Sequence, residues 1–81
     1  MNRIPVRLAL EVVRDGGGRW DTRTIDMELG RRGAHIDGGI LADLRQLASR
    51  HLIEEDNETG GTGPRWRLTD LGAKWIESHA G

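Results

Sequence analysis

The chain has 81 residues, 36% of them hydrophobic and 31% charged, with a formal charge of −1 and no cysteine. That length holds one domain and one core, burying only about 60–65% of the unfolded surface, with no disulfide or thiolate-held metal to add stability. The near-neutral balance excludes the strongly basic composition that announces nucleic-acid binding on its own.

The first predicted element is a helix over about residues 5–15. Val6, Ala9, Leu10 and Val13 recur at helical spacing, Leu8 and Val12 widen the stripe, Pro5 suits a first turn, and the glycines after Asp15 stop it. Arg7 and Glu11 interrupt this apolar run, which is far shorter than the roughly 20 residues of a membrane span. It also lacks the cleavage pattern of an export signal, so the expected location is cytoplasmic. Arg19-Trp20 forms a very short extended piece, and Asp21 or Thr22 caps a second helix over about 22–32. Ile25 and Leu29 share a face of that helix, the place of Met27 is open, and Gly33 ends it after Arg31-Arg32.

The third helix spans about 37–51. Ile40, Leu44, Leu47, Ala48 and His51 fall on one stripe, Asp37 serves as N-cap, and the pair Gly38-Gly39 weakens the first turn. His51, close to the C-terminus of the helix, reads as a capping or packing residue. Residues 52–68 form a hairpin: Leu52-Ile53 enters an acidic strand, glycines reverse the chain, and Arg65 and Arg67 alternate with Trp66 and Leu68 on the return. Thr69 caps a last helix over about 69–79, with Leu71 and Trp75 packing into the core and Ile76 open between the core edge and a dimer interface. The expected fold class is predominantly α with a small antiparallel β-sheet (α+β), as one domain over residues 1–81.

Catalytic constellations are missing from the residue pattern. Cysteine is absent, His35, His51 and His79 are scattered, and Ser49 and Ser78 lie on helices with no nucleophile-elbow pattern. Glu54, Glu55, Asp56 and Glu58 read as a solvated strand edge rather than an acid-base or metal cluster. "GGGRWD" and "GGTGPR" lack the Walker lysine-serine pair and the strand, GxGxxG turn and helix of a dinucleotide site, so they read as chain reversals. No enzyme, metal or cofactor is expected.

The run "LADLRQLASRHLIEED…GGTGPRWRLTDLG" resembles the recognition helix, wing and following segment of winged helix-turn-helix regulators, broadly the MarR-like and PadR-like repressors. Directly it covers about half the chain, and the order of elements extends it to nearly all. The resemblance implies a winged helix-turn-helix that binds double-stranded DNA in transcriptional control, as a two-fold dimer or larger assembly. Arg45, Gln46 and Ser49 would face the groove, Arg65 and Arg67 would lie on the wing, and Arg23, Arg31 and Arg32 would add backbone contacts. Ile76 is the candidate dimer contact. A second reading stays open, in which the same fold serves as a protein-protein interaction module, an adaptor or phage-type accessory protein. It is motivated by the near-neutral charge and by Asp37 and Asp43 on the reading helix.

Overall fold

A computed structural model of the chain describes residues 4–56 and 64–79. Among them the elements run α1 (Val6–Gly16), α2 (Thr22–Arg31), α3 (Leu41–Ser49), β1 (Ile53–Asp56), β2 (Arg65–Leu68) and α4 (Asp70–Ser78). The protein is mostly helical with one two-stranded antiparallel sheet, an α+β arrangement as its periodicities predict. None of the described helices is long and apolar enough to cross a membrane.

The core gathers the apolar stripes of all these elements. α1 contributes Ala9, Leu10, Val12 and Val13, α2 contributes Ile25 and Leu29, and α3 contributes Leu44 and Leu47, with Ile40 just before it. Ile4, Leu52, Ile53, Trp66 and Ile76 close the set. α1 is central, packing on α2, β2 and α4, while α3 leans on β1. Met27, open in the sequence, points outward at 63% exposure.

α1, α2 and α3 are each followed by a left-handed residue, Gly17, Gly33 and His51, for a local reason. α1 stops at Gly17, φ 60°, whose N–H reaches the Arg14 carbonyl at 3.1 Å. The ring of Trp20 then folds against Gly16, where a Cβ would lie 2.8 Å from it. α2 starts on Asp21, whose carboxylate accepts the Thr24 N–H at 2.9 Å. It ends in a Schellman turn: Gly33, φ 88°, donates to the Gly30 carbonyl at 3.1 Å and Ala34 to the Leu29 carbonyl at 2.9 Å.

α3 begins at Leu41, four residues later than the spacing predicts. Gly38 and Gly39 take φ values of 87° and 89°, which a right-handed helix cannot contain, so the chain turns there before the helix can start. Asp37 is therefore not the N-cap; that position falls to Ile40, which makes no side-chain cap. The Asp37 carboxylate instead lies 3.2 Å from His35. His51 is also off the stripe. It is the C′ residue of another Schellman turn, at φ 63°, donating to the Ala48 carbonyl at 2.9 Å while Leu52 donates to Leu47 at 3.1 Å. Its side chain is exposed.

The strands pair Ile53 with Leu68, Glu54 with Arg67, Glu55 with Trp66 and Asp56 with Arg65. Gly60, Gly61 and Gly63, the glycines expected to reverse the chain, and also Glu58, lie outside the described residues. The extended piece expected at Arg19-Trp20 runs along β2: the Trp66 N–H donates to the Trp20 carbonyl at 3.1 Å, and Asp21 forms a bridge with Arg65. Trp66 is fully buried, and its indole N–H donates to Thr22 Oγ1 at 2.8 Å, fastening β2 to the first turn of α2.

Thr69 ties the end of α3 to the start of α4. Its hydroxyl accepts the Gly72 N–H at 2.9 Å and donates toward the carbonyls of His51 at 2.6 Å and Leu52 at 3.0 Å. Its own N–H also reaches Leu52, at 3.2 Å. Gly72 is pressed on the Leu52 carbonyl and on Leu68, leaving no room for a Cβ. This contact rotates α4 so that Gly72 and Ile76 face inward and Leu71 does not. Leu71 is 51% exposed and so is not a core residue; Ile76, at 9%, is. Trp75 is half-buried and stacks on His79, with ring centroids 3.8 Å apart and planes 10° from parallel.

Candidate nucleic-acid interface

The late start of α3 decides what the helix presents. Leu41 occupies its first position, so Leu41, Ala42, Arg45, Gln46 and Ser49 fall on one side and together line a shallow depression open to solvent. Leu44 and Leu47 point the other way, into the core. Arg45 and Gln46 are exposed, and Arg45 makes no ion pair with another described residue. The Ser49 hydroxyl turns back onto its own helix and donates to the Gln46 carbonyl at 2.7 Å, which leaves its lone pairs available to accept.

Asp43 is the residue that changes the electrostatics. It is only 3% exposed, so its carboxylate sits on the inner side of α3 within the helix's first turn, where the helix dipole favours negative charge. The outer face is thereby freed of an acid that the sequence seemed to place on it. The signal was present in the spacing: Asp43 is three residues after Ile40 and four before Leu47, which puts it on the buried stripe. Asp37 stays exposed, ahead of the helix and beside His35.

On the hairpin, register mixes the signs. Residues directly opposite each other across an antiparallel pair share a face. Glu54 lies across from Arg67 and bonds it at 2.9 Å, and Asp56 lies across from Arg65. The face that carries these four charged residues is thus neither purely acidic nor purely basic. Arg65 is half-buried, flanked by Asp56 on one side and by the bridge to Asp21 on the other. Arg67 is exposed, its stem lying over Gly18.

The arginines of α2 are mostly engaged within the chain. Arg32 donates to Asp15 at 2.8 Å and to Glu28 at 3.4 Å, joining the C-terminal ends of α1 and α2, and Arg31 bonds Glu28 at 3.1 Å. The Arg32 hydrogen bond holds the Asp15 carboxyl below its usual range, and the same bond raises Arg32. Arg23 is exposed at the start of α2 and makes no ion pair with a described residue. Of the residues singled out in the sequence, then, Arg45, Gln46 and Ser49 are brought together, Arg65 and Arg67 sit apart from them on the sheet, and Arg31 and Arg32 serve an internal network. Arg50, exposed at the end of α3, adds a further cation. Ile76, the candidate dimer contact, belongs to the core, because the seat of Gly72 turns it inward.

Sequence reasoning missed Leu41 and Ala42 as part of this face. With the helix extended back to Asp37 they sat mid-helix, and only the glycine break makes them its exposed tip. A second depression, between the end of α3 and the hairpin, is lined by His51, Glu54, Asp56, Arg67 and Thr69, but among the described residues no cluster of three or more His, Cys, Asp or Glu is arranged to hold a metal ion. No known protein family, curated protein or solved structure matches this chain.

Proposed function

We propose that this chain is a winged helix-turn-helix domain that binds duplex DNA in transcriptional control, with α3 in the major groove and the β1–β2 hairpin as the wing. The observation that carries the reading is the composition of α3's outer face: Arg45, Gln46 and Ser49 stand in the open while the one acid of the helix, Asp43, is buried. Long polar side chains on an exposed helix face are what base edges and phosphates require. The order of helices and strands supports the same reading, as does the extended piece at Trp20 beside β2. On DNA, the exposed Arg23, Arg50 and Arg67 would add phosphate contacts. α4 offers Leu71 rather than Ile76 as the apolar residue with which a second copy would associate.

Anisotropy titration of labelled duplex DNA across a salt series tests this. The affinity falls with salt, with a log-log slope of about −0.9 per phosphate neutralised; Arg50→Ala reduces that slope by about one, and Arg45→Ala weakens binding by about 1–3 kcal/mol with relaxed specificity. A folded protein with no salt-dependent retention of any duplex would sink the proposal.

One observation favours a second reading, in which the same domain docks on a protein. Glu54 neutralises Arg67, so the hairpin offers a mixed surface rather than a positive one. Affinity capture from lysate separates the two: partners lost on nuclease treatment indicate a DNA tether, and partners retained indicate a protein one.

A further inference from the structure

The exposed tip of α3 has no hydrogen-bonding side chain. Ile40 is the N-cap and is buried, Leu41 and Ala42 are the first two helical residues, and the two residues before Ile40 are glycines whose missing side chains would project into open space. Leu41 is 39% exposed although the core beneath it is already filled by Ile40, Leu44 and Leu47. An apolar side chain held outward at the end of a helix that carries the exposed cation Arg45 on the same face has a specific counterpart on a duplex. In helix-turn-helix docking the N-terminal residues of the recognition helix reach the base edges. There, apolar groups distinguish one feature of the major groove, the C5-methyl of thymine.

We infer that Leu41 and Ala42 form a reader for thymine methyl groups, and that the duplex this protein selects carries thymine where the tip of α3 enters the groove. This rests on the DNA-binding reading above. The glycine pair suits the role, since the absence of two side chains lets the helix end approach the base edges closely. Arg45 and Gln46 lie one turn further on, four residues from Leu41 and Ala42 respectively, which places purine-reading groups next to the methyl contact. Charge complementarity favours DNA as the occupant of this face: Arg45 has no counter-ion among the described residues, and the acid of the helix is turned away.

The test uses the full chain and a duplex selected by it from a random-sequence pool, synthesised once with thymine and once with uracil in every thymine position. Uracil keeps the pairing and removes the methyl alone. Wild type binds the uracil duplex roughly three- to ten-fold more weakly at equal salt, the effect of losing buried methyl contact. Leu41→Gln, with its fold checked by circular dichroism, binds the two duplexes within about two-fold of each other, since the apolar contact is gone; Ala42→Gln is the second variant should the first lose its fold. Equal binding of both duplexes by wild type overturns the methyl assignment and leaves DNA binding standing. A preference for thymine that survives in the Gln variants also overturns it, pointing to duplex shape instead. Failure to retain any duplex overturns the DNA reading itself, and this inference with it.

Discussion

At two positions a single residue's backbone environment reverses the effect its type would ordinarily have. Gly72 sits inside α4, where helix propensity favours Ala over Gly by about 1 kcal/mol. Its α-carbon is pressed on the Leu52 carbonyl, which is already committed to Thr69, so an added methyl must push backbone apart. Gly72→Ala is expected to destabilise the fold by about 1–3 kcal/mol; a urea midpoint that rises instead would disprove the close approach. His51 is the mirror case. It holds φ 63° with its side chain in solvent, a conformation that costs a non-glycine residue roughly 1 kcal/mol. His51→Gly should therefore raise the thermal midpoint or leave it unchanged, whereas a core histidine would lower it. The sequence marked both residues without revealing either role. Gly72 entered only as the last residue of the run "RLTDLG", and His51 fell on the stripe of a helix that the structure ends before it reaches that position.

The elements were legible where their signals are local. Apolar spacing located the four described helices, the alternation in Arg65 to Leu68 located β2, Thr69 is a cap as expected, and of the two candidate caps for α2, Asp21 and Thr22, Asp21 takes the position. The start of α3 was not legible, because whether Gly38 and Gly39 enter the helix or break it depends on how the following turn must be aimed at the core. Leu71, expected in the core, is exposed and Ile76, open in the sequence, is buried for a related reason: a contact between residues 20 positions apart in the chain, Gly72 on Leu52, sets the rotation of α4. The caps also carry a pH dependence with a definite sign. Asp21 is lowered below its usual value, first by the Thr24 backbone N–H. A carboxyl lowered in the folded state stabilises fully above its unfolded value of about 3.9, and that contribution is lost as pH falls through the lower folded value. Asp21→Ala is expected to cost about 1 kcal/mol at neutral pH. The gap in thermal midpoint between it and wild type should close on acidification below about pH 4; a gap that stays constant would show that the carboxylate's charge is not what caps α2.

Across the whole molecule, charge is arranged so that a net of −1 conceals an uneven surface. Acids and arginines cancel along the hairpin and at the joint of α1 with α2, while α3 keeps its cations outside and its acid inside. Net charge therefore gave a poor forecast of the candidate interface, since burial of one carboxylate is a property of three-dimensional packing. The three tryptophans show the same partition of environments in another form. With no tyrosine or phenylalanine in the chain, all near-ultraviolet absorption and emission belong to indoles. Trp66 lies sealed in the core on the Thr22 hydroxyl, Trp20 lies against Gly16, and Trp75 is stacked on His79. The protein thus contains its own set of optical reporters. Loosening of the core registers at Trp66, and disturbance of the indole–imidazole stack at the end of α4 registers at Trp75.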